Sequence, residues 1–480
     1  KSNVVRNVNH THVSFVIFSQ GRQPMRFWMD PLYATLFLLS LPWLIWQSIR
    51  TGKYREGWGQ KLLGLVPPRT GLEPCFWFHA VSVGEVNLLS AILPAIRDQW
   101  PGAAIVISST TQTGHALARQ RFPEHQVCYA PLDFSWAVRR ACRRVRPTAL
   151  VLVELEVWPQ WIRQARRTGA TVAVVNGRLS AKSFRGYQRL RRFLASTFAQ
   201  LDIVLAQTEE YAARFQALGV PANRIHVTGS VKFDNVSAQR ENPRTRALME
   251  VADISPADRV FLAGSTQAGE EEIVLAAFMQ VLVECPRLRL LLVPRHPERF
   301  NEVAQRLDAT QLTWMRRSEL SSEACDRSSW QVLLVDTVGE LSAWWGSAAS
   351  GFVGGSLGSR GGQNMIEPAA YGVAVCFGPN TQNFRDVVQL LLANQAAEVV
   401  RNVDELADFM RRTAIDAAWT EELGRRAKTV VASQQGATAR SVDLLRRAMQ
   451  DRTLATDGAT PPASLSGRSE SLAARFTSPH

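Results

Sequence analysis

The sequence contains no C-x-x-C pair, no H-E-x-x-H, no D-x-D and no G-K-[ST]. The first two absences leave a zinc ribbon, a thioredoxin-like motif and a zincin without support. The third leaves no dedicated carboxylate pair for a metal, and the fourth excludes a Walker phosphate loop. The six cysteines (Cys75, Cys128, Cys142, Cys285, Cys325 and Cys376) stand singly, a usage that suits a reducing compartment. Acidic residues are scarce in one half only. Residues 1–240 carry 30 basic and 13 acidic side chains, a balance of +17, whereas 241–480 carry 25 and 29, a balance of −4. The net charge of +13 therefore describes neither half, and a uniformly basic protein is excluded. An anionic partner belongs with the first half: nucleic acid, an anionic membrane surface or a phosphorylated substrate.

With 480 residues, 46% hydrophobic and 20% charged, the chain has the length and composition for two or three folded domains. Met25 is read as the native start, which makes 1–24 an extension of unassigned status. Residues 31–49, PLYATLFLLSLPWLIWQSI, form a run of 19 without a charge. As a helix this is about 28 Å long, close to the hydrocarbon core of a bilayer. Arg22 and Arg26 precede it, and Arg50, Lys53, Arg55 and Lys61 follow it, a bias that keeps the rest of the chain in the cytoplasm. The segment 25–53 is therefore expected to be a membrane-anchor helix. Pro42 leaves open whether it spans the bilayer or lies in one leaflet. The alternative is a buried core helix.

Beyond residue 74, short apolar strands alternate with helical segments. Strands are predicted at 75–81, 104–110, 149–155, 171–178, 202–208 and 224–233, and again at 260–266, 288–295, 330–337, 350–355 and 372–378. That rhythm predicts an α/β protein of two Rossmann-like, doubly wound parallel units. The division expected is 54–235 and 236–450, with a polar linker over 234–256 and a disordered tail over 451–480.

In open parallel sheets the ligand sits beyond the carboxyl ends of the strands, so the residues there are the candidates. FHAVSVGE places Gly84 at a tight turn and Glu85 at a helix N-terminus, as general base or as capping residue. ELE places Glu154 and Glu156 at the end of a very apolar strand. Being two apart, at most one of them faces a given site; a salt bridge to the arginines nearby is the plainer role. VTGSVKFD places Lys232 at the junction of the units, either solvated or stabilising an anion. The loops GSTQAGEE (264–271) and FVGGSLGSRGGQNMIEP (352–368) have the glycine content to hold phosphate on backbone N–H groups. Residues 163–192 carry nine basic side chains and no acidic one, which suits an anionic lipid headgroup.

Taken together, these motifs resemble one family, the 3-deoxy-D-manno-octulosonic acid (Kdo) transferases of lipopolysaccharide assembly. The resemblance is carried, in order, by HAVSVGE (79–85), STTQTG (109–114), ELEVWPQ (154–160), NGRLSAKS (176–183), AQTEEYAARFQALGV (206–220), VTGSVKFD (227–234), GSTQAGEE (264–271), PRHPERF (294–300), DTVGEL (336–341), FVGGSLGSRGGQNMIEPAA (352–370) and GPNTQNFRD (378–386). It implies a glycosyltransferase B-type fold, with an acceptor-binding first domain and a nucleotide-sugar-binding second one. It implies inverting transfer of Kdo from CMP-Kdo to a lipid A precursor, lipid IVA, at the cytoplasmic face of the cell inner membrane. Glu85 matches the family's base, and Glu154 and Lys232 match positions that stabilise the transition state. Pro294, Arg295, Val338, Gly339, Glu340, Asn364, Met365, Ile366 and Glu367 match CMP-contacting positions. No metal, cofactor or nucleic acid is implied. Departures are Gln267 and Gln363, where histidine is common, and Val157 and Gln160 in place of leucine and asparagine. The rivals are a UDP-sugar transferase or epimerase of the same fold, and a non-catalytic lipid or nucleic-acid binder.

Overall fold

The computed structural model describes residues 29–51, 56–234, 236, 239–255, 257–320 and 330–457. The extension 1–24, Lys53, Arg55, Cys325 and the tail from 458 lie outside the described residues. Among the described residues, fourteen strands form two sheets of seven. The first sheet holds β1 Cys75–His79, β2 Ala104–Ser109, β3 Gln126–Tyr129, β4 Ala149–Val153, β5 Thr171–Gly177, β6 Ile203–Ala206 and β7 Ile225–Val227, ordered β3-β2-β1-β4-β5-β6-β7. The second holds β8 Arg259–Thr266, β9 Leu288–Pro294, β10 Trp314–Arg316, β11 Val332–Leu334, β12 Ser350–Val353, β13 Ala374–Phe377 and β14 Glu398–Val399, ordered β10-β11-β9-β8-β12-β13-β14. All the pairings are parallel.

Parallel strands covered on both faces must be apolar on both faces. In β1, Cys75 and Trp77 enter one core layer and Phe76 and Phe78 the other; in β8, Val260 and Leu262 oppose Phe261 and Ala263. Near its centre each sheet changes winding direction, at β1/β4 and at β8/β12. Those reversals open the crevices in which such sheets bind ligands.

Three features differ from the sequence reading. The expected linker contains a helix, Pro243–Val251, capped by the Asn242 side chain, which accepts the Thr245 N–H at 2.9 Å. Gly84 has no left-handed φ and sits inside the first turn of helix Val83–Gln99, so the chain does not need a glycine there to turn. The last helix, Ala437–Asp457, runs past residue 450 and returns to the first unit, adding Ala437, Val442 and Leu445 to the core layer that holds Phe76 and Phe78.

The apolar run forms a single helix, Met29–Thr51, with Pro42 inside it. It is long and apolar enough to cross a membrane, and none of its apolar window is buried, which excludes the core-helix alternative. Its first turns touch the body. Asp30 accepts the Ser135 N–H at 2.9 Å, Tyr33 donates to Asp133 at 3.2 Å, and Phe37 meets the Trp58 ring edge to face, centroids 5.9 Å apart.

Candidate active site

The two loops at the first reversal carry the acids. Ser82 is the N-cap of helix Val83–Gln99, and its Oγ accepts the Glu85 N–H at 3.3 Å. The Glu85 carboxylate in turn accepts the Val81 N–H at 2.8 Å and the Ser82 hydroxyl at 2.9 Å. This is a variant of the capping box, with the Val81 N–H in place of that of the N-cap residue, so the capping role is real. It does not exclude the chemical one. Burial pushes the Glu85 carboxyl up to about 7, against those two hydrogen bonds, and the negative charge of Glu154 and Glu156 adds to the rise. A carboxylate poised near neutrality is matched to general-base work.

Glu154 follows β4 at φ 60, a left-handed conformation that costs a non-glycine residue about 1 kcal/mol. Asn176 at the end of β5 (φ 52) and Ser265 at the end of β8 (φ 57) share it. Among the described residues the other three left-handed non-glycine positions, Arg146, Asp253 and Gln395, follow helices. Glu154 and Glu156 both act on Glu85 through their charge. Burial raises the Glu156 carboxyl as well.

Lys232 lies in the short turn Val231–Phe233, pinned where Asn176 Oδ1 accepts the Val231 N–H at 3.0 Å. Its Nζ stands 3.7 Å from Glu154 Oε1, so it is not a lone solvated lysine. A cavity of about 120 Å³ beside it is lined by Arg178, Thr208 and Lys232 from the first unit and Phe384 and Asp386 from the second. Across it, Asp386 accepts the Tyr211 hydroxyl at 3.0 Å and pairs with Arg178 at 3.3 Å. The sequence reading gave Asp386 no role, although it closes the quoted stretch GPNTQNFRD.

In the second unit the glycine-rich loop differs from expectation. The N–H groups of Gly355, Ser356 and Leu357 all donate to the Glu270 carboxylate, at 2.6, 2.9 and 2.9 Å, and the Gln267 N–H donates to it at 2.9 Å. Glu270 is 2% exposed. The protein's own carboxylate fills the cradle that the sequence offers to phosphate. Gly354 permits this closeness, because a Cβ there would lie 2.5 Å from the Ser265 carbonyl.

The other second-unit candidates divide by access. Arg295 follows β9 after Pro294, and its charge reaches Glu367. Burial raises the Glu367 carboxyl, opposed by a hydrogen bond from Asn364 at 2.9 Å and by Arg295. The Met365 and Ile366 side chains are in the core, so they present only backbone to a ligand. Val338 is exposed and Gly339 takes φ 88. The Glu340 carboxylate accepts from Arg317 at 3.0 and 3.1 Å, Thr337 at 2.7 Å and Trp344 at 3.2 Å. Three of these bonds fall on Oε2, so the side chain braces its own loop while Oε1 keeps a free acceptor site.

The basic stretch 163–192 is not one surface. Arg166 turns inward to Asp202 at 2.7 Å, and Arg178 joins the inter-unit pair. Arg163 and Arg167 face a separate cavity beside the first unit. Arg185, Arg189, Arg191 and Arg192 remain exposed, interleaved with Leu190 and Phe193, which are 52% and 56% exposed. Among the described residues no group of three or more His, Cys, Asp or Glu is placed to hold a metal.

Two doubly wound units, and a final helix returning from the second to the first, define a fold of the glycosyltransferase B type. The fold is shared with UDP-GlcNAc 2-epimerase from Neisseria meningitidis (TM-score 0.53, 10% identity, 78% of this chain and 100% of that one). A family model described as 3-deoxy-D-manno-octulosonic-acid transferase (kdotransferase) matches residues 56–235. The 3-deoxy-D-manno-octulosonic acid transferase of Haemophilus influenzae is 32% identical over 431 residues, covering 86% of this chain and 97% of that one. The enzyme of the same name from Bordetella pertussis is 34% identical over 429 residues, with the same coverage of each chain. The chain belongs to the Kdo transferase family.

Proposed function

We propose that this enzyme transfers Kdo from CMP-Kdo to a lipid A precursor, lipid IVA, at the cytoplasmic face of the inner membrane, with inversion at the anomeric carbon. The first unit, 54–235, takes the acceptor and the second, 236–450, the donor. The carrying observation is the Glu85 carboxyl, brought to about 7 by burial at the first-sheet reversal. In this reading Glu85 removes the proton from an acceptor hydroxyl as that oxygen attacks. Lys232, oriented by Glu154, offsets charge on the departing nucleotide phosphate. Arg295, Asn364, Glu367 and the backbone of Pro294, Val338, Gly339, Met365 and Ile366 hold CMP, and Glu340 acts by shaping its loop. The exposed patch of Leu190, Phe193 and their neighbouring arginines suits an acceptor with acyl chains and phosphates, and the anchor helix keeps the cleft at the membrane surface.

One experiment tests donor and acceptor together: incubation with CMP-Kdo and a tetra-acylated lipid A precursor, followed by product masses. An added Kdo mass is expected. Product from a UDP-sugar, with none from CMP-Kdo, overturns the reading.

A further inference from the structure

Helices Ser135–Val145 and Pro159–Arg167 pack side by side on the first sheet, and a cavity of about 470 Å³ lies between their outer faces. Its wall carries Arg139, Arg140 and Arg143 from one helix and Arg163 and Arg167 from the other. Residues four apart on a helix share a face, so 139/143 and 163/167 bring guanidinium groups into one groove. Arg139, Arg140, Arg143 and Arg163 make no ion pair within 4 Å among the described residues. The one acid in the wall, Asp30, is engaged at the N-terminus of helix Ser135–Val145. Gln160 also lines the cavity. It is 5% exposed, its Oε1 accepts from Arg163 at 3.1 Å, and its Nε2 is buried without an acceptor. Gathered cations and an unpaired buried donor are costly until an anion with several acceptor oxygens joins them.

The position of the cavity limits what that anion is. Asp30 and Tyr33 fasten the first turns of the apolar helix at its rim, and Asp133, which takes the Tyr33 hydroxyl, also accepts the N–H groups of Gln160 and Trp161 at 3.0 and 2.8 Å. Trp136, exposed in the same wall, offers apolar surface next to the arginines. We propose that this cavity seats the phosphate headgroup of an anionic phospholipid of the surrounding bilayer, with its acyl chains along the anchor helix. The site is separate from the transfer cleft. It rests on the membrane placement proposed above but not on the donor or the acceptor.

The test uses the full chain in nanodiscs of phosphatidylcholine with and without phosphatidylglycerol, and reads retained lipid by native mass spectrometry after release. The wild type is expected to retain phosphatidylglycerol and not phosphatidylcholine. The triple variant R139Q/R143Q/R163Q is expected to weaken retention on the order of 100-fold, at about fivefold per guanidinium. R143E alone, at an exposed position, is expected to weaken it at least tenfold and keeps the test valid if the triple variant melts early. Equal retention by wild type and R143E overturns the proposal, as does equal retention of both lipids. Two further arms separate the sources of phosphate. Thermal protection by inorganic phosphate equal to that by phosphatidylglycerol assigns the cavity to a free anion. A higher KM for the acceptor in the triple variant, in neutral nanodiscs, assigns it to the acceptor's own phosphate. Either result overturns the lipid assignment. Because lipid retention is read without CMP-Kdo or acceptor, failure of the transfer reading leaves it standing.

Discussion

The ammonium group of Lys232 stands 3.7 Å from the Glu154 carboxylate, and both ends of that pair are set by unusual backbone. Glu154 holds a left-handed φ of 60, and the turn bearing Lys232 is fixed through Asn176, itself at φ 52. Lys232→Met removes the cation and leaves Glu154 without its partner beside Glu85 and Glu156. We expect kcat to fall by on the order of 100-fold or more, with CMP affinity, measured by calorimetry, changed much less. An unchanged kcat removes Lys232 from the mechanism.

Glu85→Ala is expected to reduce transfer to background. Loss of a general base costs about 10²–10⁴ in rate, and loss of the cap costs about 1 kcal/mol of stability. Circular dichroism and CMP binding should show a folded enzyme that still takes the nucleotide. Near-normal turnover by this variant sinks the base assignment.

The rate should follow the ionisation of Glu85. A base works deprotonated, so kcat/KM is expected to rise with pH through an acidic limb centred at about 7. Stability moves the other way. The folded pKa lies above the ordinary value of 4.5, so between 4.5 and about 7 the native state holds more protons than the unfolded one. That contribution is full below 4.5 and is lost as pH rises through about 7. Asp133, raised by burial from 3.8 to about 7, adds to the same decline. Glu85→Gln should flatten the decline in part, and Glu85→Gln/Asp133→Asn further, in melts recorded across this range. A stability that rises with pH there contradicts both shifts.

Asp386→Asn should loosen the contact that joins the units. Its carboxylate serves Tyr211 and Arg178 together, and losing the charge weakens both. We expect kcat to fall about tenfold with CMP affinity nearly kept, and small-angle scattering to show a broader distribution of unit separations. A scattering profile identical to wild type would falsify the clasp.

Glu270→Ala leaves the N–H groups of Gln267, Gly355, Ser356 and Leu357 without their acceptor. At about 1–3 kcal/mol for an unsatisfied buried donor, partly relieved by water, a loss of several kcal/mol is expected. Urea unfolding measures it. A loss below about 1 kcal/mol means the loop does not depend on this carboxylate.

The double parallel sheet was legible because strands buried on both faces read as unbroken apolar runs, as in Ala149–Val153. Edge strands such as Trp314–Arg316 and Glu398–Val399 are too short and too polar to read that way. Glu85, Glu154 and Lys232 were legible as residues just beyond strands. Their relationships were not. A left-handed Glu154 undoes the two-residue alternation from which its direction was read. Glu270 looked like one acid among several at a helix start, and only the folded loop shows that it fills the phosphate-like cradle. Asp386 and Tyr211 meet across the units, and no local pattern encodes a contact over such a separation. Glu340 is paired with Arg317, a partner that the sequence places in a different loop.

Asp234 ends the first unit and caps the final helix, accepting the Gly436 N–H at 2.7 Å and the Thr438 N–H at 2.6 Å. The passage of chain that leaves the first unit and the one that returns to it are thereby fastened to each other, so neither crossing can shift without carrying the other with it.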